Sequence, residues 1–415
     1  MTPSSPRLTL PRYHIRPVHG WLNDPNGLCH IDGTWHVFYQ HYPERPLHHL
    51  ISWGHVSSPD LLHWRHHPVA FGPTPDGPDA FGCWSGVFLP GLDRPAVAYS
   101  GLCRATEDDP GGSTVCVRRT SPDDPGSLDR WDEPIVVART PDVDGVRVMR
   151  DPFLFSHRGV SWALLGAGLH DGSPAVLLFD ASDPDRWTYA GLFATGRDPL
   201  ASGLPPADIW ECPQLVRCGD AWLLVLSLQY QGRFGTVEGI VGDLADAGRP
   251  RFVAHGHARL DDGDSFYAPQ ALADGDGALM FGWIREAPQE NPAARVAGCL
   301  TLPRRVTIVG DKVRVAPDPI VDAGFGPAEL AGPDPERDGP PRACRLEPLS
   351  PGAMLEGAGR VVPLPVGCRV YLDGNVVEVY REAGVPATYR LTDEQGWRVR
   401  GYVRAHAWAG PSMPE

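Results

Sequence analysis

The sequence has no run approaching the roughly 20 apolar residues that a membrane-crossing helix needs, which excludes a helical membrane protein. It also lacks a basic excess. Its 37 Lys and Arg face 51 Asp and Glu, a formal net charge of −14, so no basic face is on offer to a nucleic acid or an anionic membrane. There is no C-x-x-C pair. The nine cysteines, an odd number, cannot all pair within one chain and read as small buried thiols in a reducing compartment. Met1 to Pro17 holds several prolines and no continuous apolar run, so it does not read as a signal peptide, and a cytoplasmic location is expected. No phosphate loop of the G-x-x-x-x-G-K type occurs, and long patterns of helical period are absent before Leu300.

What remains is a chain with a substantial apolar content (42%), broken by 47 Gly and 45 Pro. That content supports a folded core, and the frequent turn formers point to an all-β fold. Short runs rich in β-formers recur at Trp35–Gln40, Ala96–Tyr99, Ser161–Leu165, Ala175–Phe179, Ala221–Leu228 and Ala278–Ile284. A weak repeat accompanies them. Ser58-Pro-Asp60 precedes Trp64, Ser121-Pro-Asp123 precedes Trp131, and Ser182-Asp183-Pro184 precedes Trp187, the tryptophans lying 67 and 56 residues apart. A unit of that size holds a four-stranded sheet, so the spacing is that of a propeller with large blades, unless it is a coincidence in a Trp-rich chain. After Pro317 the composition changes. We expect residues 1–317 to form the propeller, 318–342 a Gly/Pro-rich linker, and 343–415 a small β-sandwich-like unit. That last unit has strands at Arg369–Leu372, Val376–Tyr380, Thr388–Leu391 and Trp397–Tyr402, and the tail Gly410–Glu415 reads as frayed.

Three acidic motifs stand out: Trp21-Leu22-Asn23-Asp24-Pro25-Asn26-Gly27, Arg150-Asp151-Pro152, and Trp210-Glu211-Cys212-Pro213-Gln214. Taken singly, each is ordinary turn chemistry. Together they hold what cleavage of a glycosidic bond needs: one carboxylate to attack or to activate water, and one carboxylic acid to protonate the leaving oxygen. Aromatic residues near these motifs, among them Trp21, Trp53, Trp84, Trp210, Tyr267 and Trp283, suit the C–H faces of a sugar ring, although most tryptophans of such a chain are core.

At these residues the chain resembles glycoside hydrolase family 32, the invertase, levanase and sucrose-6-phosphate hydrolase family, from about His14 to Pro303. The likeness rests on His19-Gly-Trp-Leu-Asn-Asp24-Pro-Asn-Gly, Tyr39-Gln40, Trp53-Gly54-His55, Trp84-Ser85-Gly86, Arg150-Asp151-Pro152, Trp210-Glu211-Cys212-Pro213, Phe266-Tyr267-Ala268-Pro269-Gln270, Gly282-Trp283 and Leu300-Thr-Leu-Pro303-Arg304, all in family order. Tyr371-Leu-Asp373-Gly-Asn-Val-Val-Glu378-Val-Tyr380 echoes a late family motif. The resemblance implies a five-bladed β-propeller followed by a β-sandwich, here short and abbreviated. It casts Asp24 as nucleophile, Glu211 as general acid/base and Asp151 as the residue that steadies the fructosyl transition state. Asn23, Gln40, Trp53, Trp84, Ser85, Arg150, Tyr267 and Trp283 become the expected substrate contacts. The implied activity is retaining hydrolysis of terminal β-D-fructofuranosides such as sucrose, sucrose-6-phosphate or short fructans. Fructosyl transfer and non-catalytic fructoside binding are the alternatives. No metal, cofactor, nucleic acid or membrane partner is expected.

Three departures bear on substrate. His48-His49 stand where the family usually has Trp-Gly, Gln214 where Asp commonly follows Glu-Cys-Pro, and Ser265 where Asp usually precedes Phe266. Two further clusters are set aside. His63, His66 and His67 flank Trp64, but adjacent histidines rarely both ligate a metal. Asp261, Asp262 and Asp264 fail the calcium-loop spacing and read as a loop at the pocket mouth.

Overall fold

The computed structural model describes residues 10–104, 112–124, 126, 128–246, 248–286, 295–331, 342–357, 359–382, 384–391 and 397–414. Five four-stranded antiparallel blades follow one another along the chain. Blade I comprises Gly20–Ile31, Thr34–Tyr42, Ser52–Ser58 and Arg65–His66. Blade II comprises Gly82–Leu89, Ala96–Leu102, Ser113–Arg119 and Ile135–Arg139. Blade III runs through Val146–His157, Val160–Leu169, Pro174–Asp180 and Thr188–Thr195, and blade IV through Ile209–Cys218, Ala221–Tyr230, Arg233–Asp246 and Pro250–Arg259. Blade V holds Phe266–Asp274, Gly277–Ile284, Arg304–Val309 and Lys312–Pro317. The ring closes where Val296–Ala297, arriving from blade V, pairs in parallel with Gly20 and Trp21 of blade I.

Each of the three Ser/Asp/Pro turns with its Trp lies between the third and fourth strands of a blade, in blades I, II and III in turn. Middle strands are covered on both faces by neighbouring blades. That is why they read as continuous apolar runs rather than alternating ones: Leu164, Leu165, Leu177, Leu178, Leu223, Leu224 and Val225 are all fully buried. Burying each leucine contributes roughly 2–3 kcal/mol. Gly166 is needed where blades III and IV touch, because a Cβ there would meet the Trp210 carbonyl oxygen at 2.3 Å.

The remaining strands make two sheets packed as a sandwich. One runs in the order Phe325–Ala331, Val403–Trp408, Ala343–Pro348, Arg369–Asp373, Val376–Tyr380, Ala387–Arg390. The other consists of Arg360–Pro363, Met354–Gly357 and Arg398–Arg400. Leu346, Leu355, Val370, Val377 and Trp397 form its core. Two expectations are corrected. The stretch 318–342, read as a linker, carries a 3-10 turn at Pro319–Gly324 and then Phe325–Ala331, an edge strand of the sandwich paired with Val403–Trp408; its residues 332–341 lie outside those described. The tail is not frayed at 410–414. Met413 is buried and its amide donates to the Arg12 carbonyl at 2.6 Å, while Glu415 lies outside the described residues.

A buried polar cluster joins the two units and gives the late sequence motif its structural meaning. Arg304 of the propeller donates to Asp261 at 2.9 Å, to Glu378 at 2.5 Å and to the Thr388 hydroxyl at 2.6 Å. His14 bridges Asp373 and Glu378, each at 2.9 Å. Burial alone would push the Glu378 carboxyl up, but Arg304 and His14 outweigh it and hold it down at about 2.

Candidate active site

The inner strand of every blade carries a β-bulge at the same place. The paired register slips between Leu22 and Pro25, Cys83 and Gly86, Arg150 and Phe153, Glu211 and Gln214, and Tyr267 and Gln270. In each case two residues oppose one across the ladder, which bends the strand and re-aims its side chains. The bulged pairs are Asn23-Asp24, Trp84-Ser85, Asp151-Pro152, Cys212-Pro213 and Ala268-Pro269, so five of the short motifs of the sequence each coincide with one bulge. Asp151, Cys212 and Ala268 adopt left-handed φ of 60°, 46° and 45° without being glycine. Such residues cost on the order of 1–3 kcal/mol each and concentrate where function requires a fixed geometry.

The bulges converge on a cavity of about 800 Å³ that Asp24, Asp151 and Glu211 all line. Asp24 accepts from the Ser85 hydroxyl at 2.6 Å, from Gln40 Nε2 at 3.0 Å and from Asn23 Nδ2 at 3.1 Å. Trp21 Nε1 donates to Asn23 Oδ1 at 2.7 Å and fixes which way that amide points. Burial pushes the Asp24 carboxyl up to about 6; its Ser85 and Asn23 hydrogen bonds work against this and the charge of Glu211 with it. Asp151 accepts from the Cys212 amide at 3.0 Å and is pushed up to about 7, by burial first and by Glu211 second. Glu211 is held from two sides, by the Tyr267 hydroxyl at 2.8 Å and by Arg150 Nη1 at 3.1 Å.

Asn23, Gln40, Trp84, Arg150, Tyr267 and Trp283 all line the cavity, as expected, and Ser85 reaches it through its bond to Asp24. Trp53 does not. It sits on the third strand of blade I, away from the axis, fully buried against Phe38, Phe71 and Tyr99. Its Nε1 donates to the Trp84 carbonyl at 3.0 Å, so it positions Trp84 rather than touching a ligand. His48 takes a place on the cavity wall, edge-on to Trp84 and Trp21. Gln214 turns away from Glu211. Its Oε1 accepts from the Ala271 amide of blade V at 3.2 Å, just as Gln270, at the equivalent position, accepts from Leu28 of blade I at 2.5 Å. Of the acidic trio near the mouth, Asp264 lines the cavity. Asp261 is instead buried against Arg304, and Asp262 pairs with Arg381.

Sequence reasoning missed two groups. Cys212 lies between the acids, its sulfur 3.6 Å from Asp151 Oδ2 and 3.9 Å from Asp24 Oδ2. Burial and these carboxylates hold its thiol well above the usual range. Phe234, Arg285 and Glu286, together with Arg360, Arg390 and Leu391 of the sandwich, complete the mouth. Ser265 is the hinge of that contact, its hydroxyl accepting from the Arg390 amide at 3.1 Å.

The Glycosyl hydrolases family 32 N-terminal domain matches over residues 14–319. The chain is 31% identical to the sucrose-6-phosphate hydrolase of Escherichia coli over 322 residues, 74% of this chain and 64% of that protein. It is 30% identical to the raffinose invertase of Escherichia coli over 308 residues, 71% of this chain and 62% of that protein. It thus spans a little under two thirds of the curated relatives it matches. The solved sucrose-6-phosphate hydrolase of Lactobacillus gasseri superposes with a TM-score of 0.78 at 22% identity, covering 98% of this chain and 94% of that one. The Bombyx mori GH32 beta-fructofuranosidase gives 0.75 at 22% identity, covering 98% and 95%. At that identity the likeness establishes the propeller-and-sandwich fold. With about three quarters of its length matched by the family's N-terminal domain, the chain belongs to glycoside hydrolase family 32.

Proposed function

We propose that the chain is a glycosidase that hydrolyses terminal β-D-fructofuranosides with net retention. The observation that carries this is the meeting of Asp24, Asp151 and Glu211, distant in sequence, at one cavity walled by Trp21, Trp84 and Trp283. Asp24 attacks the anomeric carbon as the bond to the leaving sugar breaks, and Glu211 passes its proton to the departing oxygen. Glu211, now a carboxylate, takes a proton from water while the water oxygen bonds to the anomeric carbon and Asp24 leaves. Asp151 faces the positive charge that develops on the fructosyl ring.

The electrostatics support this division. Three buried acids repel one another's charge, so the cluster retains a proton near neutrality, as the raised Asp24 and Asp151 carboxyls indicate. The Cys212 thiol stays protonated and does not compete as nucleophile. Gln40 Oε1 and Trp283 Nε1 are buried, belong to cavity-lining residues and have no hydrogen-bond partner among the described residues, which suits the hydroxyls of a bound sugar.

The relatives carry the names sucrose-6-phosphate hydrolase and raffinose invertase, which favours small fructosides over long polymers as substrates. No helix among the described residues is long and apolar enough to cross a membrane. None of the nine cysteines is in a disulfide and eight are buried, which supports a cytoplasmic location. The test is product-resolved incubation with sucrose, sucrose-6-phosphate, inulin and levan. Equal release of fructose and its partner sugar from the disaccharides is expected, slowed on the order of 10³-fold in Glu211→Gln. Transfer of fructose to sucrose in place of release, or an undiminished rate in Glu211→Gln, would overturn the proposal.

A further inference from the structure

On the outer side of blade I, away from the cavity, three ligand-type atoms face one another. His55 lies on Ser52–Ser58, His67 follows the short strand Arg65–His66, and Asp129 comes from the turn between the third and fourth strands of blade II. His67 Nδ1 lies 3.2 Å and His55 Nδ1 3.7 Å from Asp129 Oδ1, and all three atoms are within 4.8 Å of one another. Tetrahedral coordination with bonds of roughly 2.0–2.1 Å places neighbouring donor atoms about 3.4 Å apart, between the two separations observed.

The remaining nitrogens are already engaged. His55 Nε2 meets His36 Nδ1 at 3.0 Å, and His67 Nε2 meets the Ser57 hydroxyl at 2.7 Å. With hydrogens on both Nε2 atoms, as these contacts allow, both Nδ1 atoms present lone pairs toward a carboxylate oxygen. His55 Nδ1 has no hydrogen-bond partner, and its side chain is only 1% exposed. Two imidazole nitrogens and one carboxylate oxygen thus face one point.

We propose that His55, His67 and Asp129 bind one divalent transition-metal ion, with zinc the best fit, clamping the outer edge of blade I to blade II. Two imidazole nitrogens and one carboxylate oxygen suit zinc, cobalt or nickel and do not suit calcium or magnesium, which take oxygen donors. The His36 and Ser57 contacts are the outer hydrogen bonds that orient ligating imidazoles. The His55 and His67 rings stack at 4.1 Å with planes 20° apart, so closing on one ion requires a ring to turn. His67, with 13% of its side chain exposed against 1% for His55, is the less enclosed of the two. Asp129, 38% exposed, leaves an entry route.

The test uses the intact chain, stripped with a chelator and titrated with zinc chloride by calorimetry and by thermal unfolding. Wild type and His63→Gln, which alters a surface histidine paired with Asp60, should each bind one tight equivalent and gain several degrees in Tm. His67→Gln and Asp129→Asn should bind that equivalent at least tenfold more weakly and gain little. Cobalt(II) in the wild-type protein should show the visible absorption of a four-coordinate ion, a readout that needs no variant. Absence of a tight equivalent in wild type, or equal binding by the two variants, would sink the proposal.

Discussion

Asp24→Asn separates the electrostatic cost of the proposed nucleophile from its chemistry. In the folded chain its carboxyl is raised to about 6, against roughly 3.9 in an unfolded chain. The native state therefore binds the proton more tightly than the unfolded state. This side chain subtracts nothing from stability below about pH 4, and it subtracts progressively as pH rises through 6. A shift of about two units corresponds to about 3 kcal/mol; half that is the sounder figure for a group that water partly reaches. Asparagine removes the charge but turns an NH2 toward Ser85 and Gln40, which lose an acceptor, at a cost of about 0.5–1 kcal/mol. The variant should therefore be about 1 kcal/mol more stable than wild type at pH 8 and slightly less stable at pH 4, as measured by urea unfolding. Fructose release from sucrose should fall on the order of 10⁴-fold. A stability difference that does not change between the two pH values would refute the burial argument. Release at the wild-type rate would remove Asp24 from the role of nucleophile.

Three further outcomes follow from where residues sit. Trp53→Ala should cost about 3–5 kcal/mol in urea unfolding, because the ring is fully buried between Phe38, Phe71 and Tyr99. Trp84→Ala should leave stability within about 1 kcal/mol and raise KM, because that ring lines the cavity. Arg304→Met should destabilise by about 3–5 kcal/mol, since Asp261 and Glu378 would be left buried without their cation. The loss should appear in unfolding of the whole chain rather than in KM.

The fold was legible wherever local chemistry repeats. Turn formers followed by Trp marked the outermost hairpin of three blades, because a tight turn and a ring capping the blade edge are both written within a few residues. The sequences of blades IV and V lack that signature, and only the resemblance supplied the count of five. Residues 319–331 misled because Gly, Pro and acidic residues spell a linker. An edge strand needs little apolar content of its own when a partner such as Val403–Trp408 provides the ladder. The tail misled for a related reason: Met413 docks on contacts from Arg12 and His66, hundreds of residues away in sequence.

The same distinction explains the site. Asp151 and Glu211 were visible because a bulge that places a non-glycine residue at positive φ, followed by proline, leaves a local trace: Asp151-Pro152 and Cys212-Pro213 are bulge words as much as catalytic ones. Trp53 failed because a tryptophan beside a motif carries no mark of which side of the strand it occupies; register against Gln40 and distance from the axis decide that. Gln214 lies three residues from Glu211 in sequence, yet the bulge between them turns its carboxamide toward the next blade. The sandwich arginines at the mouth left no local trace at all. Arg390 lines the cavity, and its amide donates to the hydroxyl of Ser265, in the position where family members usually carry Asp. A carboxylate there would add a third acid to Asp264 and Glu286 at a mouth where Arg390 already pairs with Glu286.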